Sequence, residues 1–268
     1  MNLFRNMFLL GVAATSIAGC APTGQRAAKA SLDEGYVALD QRQYDQAAAK
    51  ADTFLDAMPV GPGSAEAMYL RGRAMEQSVT DASARPTEDQ ARTSLQAARV
   101  AYINALKLSP SPQLEAYTRA SLGNVAYFQD DYQTAMQQWS AAYPQLDQPE
   151  LKAWSLYRMG LCQQRLGQFA AADKTFASVQ QQFATTEPGR RAQQKIGAKG
   201  FYLQLATFRS ASNAERAVTG LRRQGVVAER MSSQGMQQVR IGPMKTYVEA
   251  KSMKARYAGE YPEAIIVP

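Results

Sequence analysis

The sequence predicts an α+β multidomain chain in which an all-α solenoid of helical repeats is followed by a small βαββαβ unit. Three observations carry this prediction. Glycine, aromatic and alanine residues recur on one period between residues 31 and 198, strand-like alternation replaces helical spacing after Gly200, and the charge changes sign near the same point.

The repeat is legible from fixed spacings. Gly35 is followed nine residues on by Tyr44 and twelve on by Ala47, Gly123 by Tyr132 and Ala135, and Gly160 by Phe169 and Ala172. Gly72 opens a fourth unit whose counterparts are Leu95 and Ala98 once 14 residues are set aside, and with that insert removed the four glycines fall on a period of 37. Small residues let paired helices approach and the aromatic fills the joint. Tyr102, Trp139 and Phe176 each lie four residues after one of those alanines, on the same helical face. Pro59 and Pro110 close helices. The insert, from Ser78 to Asp89, has turn composition followed by a Pro86-Thr87 helix start, and is expected to lengthen the second helix of repeat two. A last helix beginning at Glu187-Pro-Gly caps the array. The pattern resembles the tetratricopeptide repeat, slightly longer than its usual ~34 residues. The resemblance implies a concave groove that receives a peptide or helix of a protein partner. Tyr69, Arg73, Asn124, Tyr127, Tyr157 and Gln164, on the first helices, are the expected groove residues.

In the carboxyl-terminal unit, Phe201 to Phe208 alternates, with Leu203 and Leu205 on one face and Tyr202, Gln204 and Phe208 on the other. Ser212 is the expected N-cap of a helix carrying Ala214, Ala217, Val218 and Leu221, stopped by Gly225. Val226 to Met231 reads as a second strand and Ser232-Ser-Gln-Gly235 as a hairpin turn. A third strand from Met236 to Ile241 has Val239 and Ile241 inward and Gln238 and Arg240 outward, and Gly242-Pro243 is expected to break it. Thr246 caps a second helix with Val248, Ala250, Met253 and Tyr257, and Ala264 to Val267 is a final apolar strand.

This order, with Leu-Gln-Leu-Ala-Thr-Phe opening it and Val-Arg-Ile-Gly-Pro at the third strand, resembles the SPOR (sporulation-related repeat) domain, over residues 199–268. The resemblance implies binding of bacterial peptidoglycan, in particular glycan strands stripped of their stem peptides, and a place in envelope or cell-division organisation. Stripping leaves a lactyl carboxylate on each muramic acid, so the ligand is a spaced polyanion. The expected glycan-binding residues are Arg240, whose planar fork pairs with a carboxylate, Gln204 and Gln238 for sugar hydroxyls and acetamido groups, and Tyr202 or Phe208 for stacking. Ala206, Gln237 and Met244 stand where the family usually has Gly, an aromatic and Phe; Ala206 adds a methyl group where the strand is expected to need close approach, and the other two changes remove stacking surface.

At the other end, Arg5, the apolar run Met7 to Ala18 and Ala18-Gly19-Cys20 read as a signal peptide over residues 1–19. The small pair before Cys20 resembles the lipobox of bacterial lipoproteins, which implies cleavage, acylation (palmitate among the chains) and membrane anchoring at Cys20. Ala21, rather than Asp, favours the outer membrane, facing the periplasm. Residues 20–30 are expected to be a lipidated flexible tether and residues 31–198 the repeat domain.

Charge separates the two parts. Residues 20–188 carry 15 basic and 18 acidic side chains, net −3, and residues 189–268 carry 14 and 5, net +9. Attraction for a polyanion therefore lies at the carboxyl end. With no histidine and with Cys162 as the one thiol left after lipidation, the usual zinc sites and Ser-His or Cys-His pairs cannot be built. Carboxylate or Ser-Lys chemistry remains formally open, but the expectation is a non-enzymatic protein with no metal, cofactor or catalytic residue. The basic RNP-like outline admits nucleic acid, yet export and the missing aromatic strand motif argue against it. A second reading makes the repeats dominant, as an adaptor for outer-membrane protein or pilus assembly, with the carboxyl module as a docking element.

Overall fold

Each repeat glycine carries an aromatic or aliphatic side chain where its own Cβ would stand. In the computed structural model, which describes residues 23–233 and 235–268, a Cβ on Gly72 would lie 2.5 Å from the Tyr102 ring, one on Gly123 2.7 Å from Trp139, and one on Gly160 2.6 Å from Phe176. Gly35 meets Leu70 at 2.6 Å in the same way. The aromatic four residues past the alanine is thus seated on the glycine of the preceding helix, and this contact sets how closely each pair packs.

The chain divides after Asp147 into two compact units. The first holds α1 (Thr23–Asp40), α2 (Tyr44–Ala57), α3 (Ser64–Thr80), α4 (Glu88–Lys107), α5 (Pro112–Phe128) and α6 (Tyr132–Ala142), with a 3-10 turn at Tyr143–Gln145. The intra-repeat turns place Arg42 and Asp130 at positive φ, two residues ahead of Tyr44 and Tyr132. After the insert, Thr87 caps α4 through a reciprocal capping box with Gln90. The insert itself is pinned by Asp81, which accepts from the Tyr44 hydroxyl at 2.6 Å and from the Ser83 amide and hydroxyl at 2.8 and 2.7 Å. Burial pushes the Asp81 carboxyl up, but these hydrogen bonds outweigh it and hold the group well below the usual carboxylate range.

Residues 23–30 are helical rather than a loose tether. Ala28 and Leu32 are buried, and the Ser31 hydroxyl donates to the Lys50 carbonyl at 2.8 Å, so Ala28 serves α1 as a packing residue while Ala27 and Ala30 face outward. The signal peptide, Cys20 and residues 20–22 of the tether lie outside the described residues.

The second unit holds α7 (Pro149–Arg165), α8 (Phe169–Gln182), α9 (Glu187–Gln193), β1 (Phe201–Phe208), α10 (Ala211–Arg223), β2 (Ala228–Ser233), β3 (Met236–Met244), α11 (Tyr247–Tyr257) and β4 (Ile265–Val267). The strands form one antiparallel sheet in the order β2-β3-β1-β4. Helices α10 and α11 close one face over Leu203, Leu205, Val218, Leu221, Val239, Ile241 and Ala250. The N-cap of α10 is Ser210, not Ser212, and its hydroxyl accepts from Asn213 N–H. Thr246 caps α11 as the sequence indicates.

Gly242-Pro243 does not end β3; the strand continues to Met244 through a bulge in which Phe201 pairs with Met244 and Leu203 with Ile241. Gly242, at φ +146°, is required there because a Cβ would stand 2.8 Å from the Phe201 carbonyl oxygen. The last repeat also reaches this domain. Phe169, the joint aromatic of that repeat, packs on the sheet core with its ring 5.5 Å from Phe201, and a Cβ at Gly167 (φ +78°) would lie 2.9 Å from the Lys245 carbonyl oxygen.

Candidate functional site

The sheet has a second face, opposite α10 and α11. Strand register puts Glu229, Arg240, Gln204 and Ile265 in one row straight across all four strands, with Met231, Gln238 and Thr207 in the next row and Tyr202 beside Val267. These side chains are half-buried or exposed, and Ile265 is 49% exposed. Arg240 lies at the centre. Its Nε donates to Gln238 Oε1 at 3.1 Å, its Nη2 donates to the same oxygen, and its guanidinium carbon is 5.8 Å from the centre of the Tyr202 ring. Gln204 Nε2 donates to Thr207 Oγ1 at 3.3 Å. Among the described residues Arg240 makes no ion pair, so its charge is directed by a neutral amide and an aromatic ring. The Tyr202 ring is positioned in turn by Gly242, where a Cβ would come 2.9 Å from the ring edge.

Four of the five expected glycan-binding residues, Tyr202, Gln204, Gln238 and Arg240, therefore share this face. Phe208 does not. A register shift between Gln204 and Ala206 turns the rest of β1 over, so that Phe208 packs on the helix-side core and Thr207 takes the outward place beside Gln238. Strict alternation from Leu203 hides this slip. The substituted positions are placed by the same pairing: Met244 is buried in the core, Ala206 pairs with the buried Val239, and Gln237 accepts from Arg230 and donates to Ser232.

The charge is distributed differently from the expected cationic sheet. Among the described residues the paired strands put one cation on this face, Arg240, and one carboxylate, Glu229, directly across from it. Arg216, Arg222 and Arg223 lie on α10, and Lys251, Lys254 and Arg256 on α11. Arg222 and Arg230 both approach Glu215, at 4.0 and 3.5 Å. Alternation assigns a side chain to a face, but it does not reveal that most basic residues of this domain belong to its helices.

The expected groove residues are internal. Tyr69, Arg73, Asn124, Tyr157 and Gln164 are buried, and Tyr127 is half-buried against Phe128, Tyr132 and Trp139. In the first unit Glu76 organises a polar cluster, accepting from the Tyr102 hydroxyl at 2.6 Å and from Asn124 Nδ2 at 3.1 Å, while Arg73 Nη1 donates to the Tyr69 hydroxyl at 3.0 Å. In the second unit Gln164 Nε2 donates to the Lys195 carbonyl at 2.9 Å, and Tyr157 packs between Trp154 and Phe176. First helices of such arrays are packed on several sides, so polarity on them does not by itself mean exposure.

Residues 197–268 match the SPOR domain family model, and residues 15–106 match the model described as outer membrane lipoprotein (YfiO). Among solved structures the chain is similar to one titled "Crystal structure of MamA protein", at 14% identity over 64% of this chain and 88% of that one, with a TM-score of 0.44. No curated protein matches the chain. The chain is thus a series of helices whose first part matches the outer membrane lipoprotein model, followed by a four-stranded αβ unit that matches the SPOR domain model.

Proposed function

We propose that the protein is a non-enzymatic outer-membrane lipoprotein, anchored through Cys20 and facing the periplasm, that binds denuded peptidoglycan glycan through its SPOR sheet and a protein partner through its repeats. One observation carries the wall-binding half: Arg240 is held on an uncovered sheet face with Gln204, Gln238 and Tyr202 around it. A guanidinium pre-oriented by an amide and a ring can accept a lactyl carboxylate, the two glutamines offer donors and acceptors to acetamido groups, and Ile265 and Val267 provide apolar surface for acetyl and lactyl methyl groups. Because Glu229 faces Arg240, recognition rests on local geometry more than on bulk charge. Envelope or division-site organisation follows from such binding.

The test is co-sedimentation of the full chain with sacculi before and after amidase treatment. Treatment should increase binding, and Arg240→Gln should lower it about tenfold, the consequence of losing one charge-assisted hydrogen bond. Binding indifferent to both changes would refute the wall reading. The match of residues 15–106 to an outer membrane lipoprotein family favours keeping the second reading, an adaptor for outer-membrane protein assembly. Deleting Gly200 to Pro268 separates the two, since lost septal localisation supports the first and lost envelope-protein assembly with unchanged localisation supports the second.

A further inference from the structure

The second unit carries a charged feature that glycan binding at the sheet does not use. On α7, Trp154, Arg158 and Arg165 fall four and eleven residues along one face, and Arg191 of α9 and Lys195 of the following turn stand beside them. The guanidinium carbons of Arg158 and Arg191 lie 5.8 and 5.4 Å from the centre of the Trp154 indole, so one ring supports two cations. Arg165 stands 3.3 Å from the centre of the Tyr247 ring at the start of α11. Trp154 is itself fixed, donating from Nε1 to Glu150 Oε1 at 3.0 Å, and Glu187 orients Arg191 through Nε at 2.7 Å.

Two carboxylates touch the strip, Glu150 and the Glu187 that pairs with Arg191, and the four cations outnumber them. Burial and the nearby charges of Arg165 and Arg191 hold the Lys195 ammonium below its ordinary pKa, a like-charge effect that requires these groups to lie close together. All four cations are half-buried rather than extended into water. Held on aromatic supports, the three arginine side chains lose less entropy on binding than free surface lysines would.

We propose that this strip is a docking surface for an acidic segment of a partner polypeptide. Charge complementarity selects that occupant. Clustered cations attract carboxylates, and a thin polypeptide chain reaches half-buried cations that a flat lipid surface cannot. The Trp154 ring is only 3% exposed and already bears cations, so it offers a sugar no stacking platform. The inference is independent of the wall-binding reading, because it uses none of the sheet-face residues.

The experiment measures binding of the full chain to a fluorescent peptide of alternating Glu and Ala, with a Gln and Ala peptide as the neutral control. The Glu peptide should bind and the Gln peptide should not. Arg158→Gln with Lys195→Gln should weaken binding about tenfold, whereas Arg216→Gln with Arg223→Gln, an equal loss of charge on α10, should leave it within about twofold. Equal losses in both variants would show unspecific charge attraction and overturn the proposal. A second readout needs no variant: carbodiimide coupling of the bound Glu peptide to the wild-type chain should fall on Lys195. Coupling confined to Lys251 and Lys254, or competition of the peptide by denuded glycan alone, would also overturn it.

Discussion

Gly160→Ala adds one methyl group where the structure has no space for it, and the same unit contains its own control. The new Cβ would stand 2.6, 2.9 and 3.0 Å from three atoms of the Phe176 ring, closer than real Cβ contacts come. Phe176 is fully buried, so its ring must move by nearly an ångström in a packed interior or the α7-α8 pair must separate. Overpacking of this kind costs about 1–3 kcal/mol, while replacing a mid-helix glycine by alanine returns up to about 1 kcal/mol of helix propensity. Gly220, in α10, has nothing within 4 Å of its built Cβ and isolates the propensity effect. Gly220→Ala should therefore stabilise the unit by about 0.5–1 kcal/mol and Gly160→Ala should destabilise it by roughly 1–2 kcal/mol. Urea titration of the segment Gln148–Pro268 measures both as midpoint shifts at constant slope. Adding Phe176→Leu to Gly160→Ala should cost less than the separate effects summed, because the shorter side chain vacates the ring's position. If Gly160→Ala stabilises as much as Gly220→Ala, the seating of aromatics on repeat glycines does not control helix approach.

Glu229→Gln removes the carboxylate facing Arg240, and should tighten binding to denuded glycan and steepen its salt dependence while leaving binding to uncharged chitin oligomers unchanged; salt titration of both ligands checks this. Phe208→Ala should lower the unfolding midpoint, whereas Thr207→Ala should instead weaken glycan binding, as co-sedimentation and urea titration of the pair will show. Burial pushes the Cys162 thiol up to about 12, against the lowering effect of Arg165 and Arg158, so the neutral form persists through mildly alkaline pH. Iodoacetamide at pH 8.5 should leave it unmodified in the folded chain and alkylate it in urea, measured by intact mass.

The helical part was legible because one residue type performs one task at a fixed spacing. Gly72, Gly123 and Gly160 with Tyr102, Trp139 and Phe176 form contacts that spacing alone foretells. The inner face of the sheet was legible for the same reason, since Leu203, Leu205, Val239 and Ile241 are apolar and alternate. Three features were not. The bulge after Gln204 depends on pairing with β3, which a single strand's pattern does not encode, and it moved Phe208 off the open face. The continuation of β3 past Gly242-Pro243 depends on close approach to Phe201, a tertiary contact. The groove residues failed for a third reason: Arg73, Asn124 and Gln164 find partners inside their own units, and a satisfied buried polar residue looks the same in sequence as an exposed one.

The seam between the last repeat and the SPOR sheet bears on how the protein can act. Phe169 has the sequence role of a joint aromatic, equivalent to Tyr44 and Tyr132, yet it packs on the sheet core beside Phe201, and Phe201 in turn packs edge-on against Tyr247 at 5.5 Å. Arg165 over Tyr247 and Gly167 against the Lys245 carbonyl fasten the turn on either side of it. A module on a loose linker would bind wall without informing its neighbour. Here β1 carries Phe201 on one face and Tyr202 on the other, and the α7-α8 turn grips the first while the open face presents the second. A force applied to the open face through Tyr202 therefore reaches α7 through adjacent residues of one strand, and α7 is also the helix that bears Arg158 and Arg165. Wall and partner, if both bind as proposed, are held by one compact unit, Gln148–Pro268, so the protein fixes their separation instead of merely tethering them.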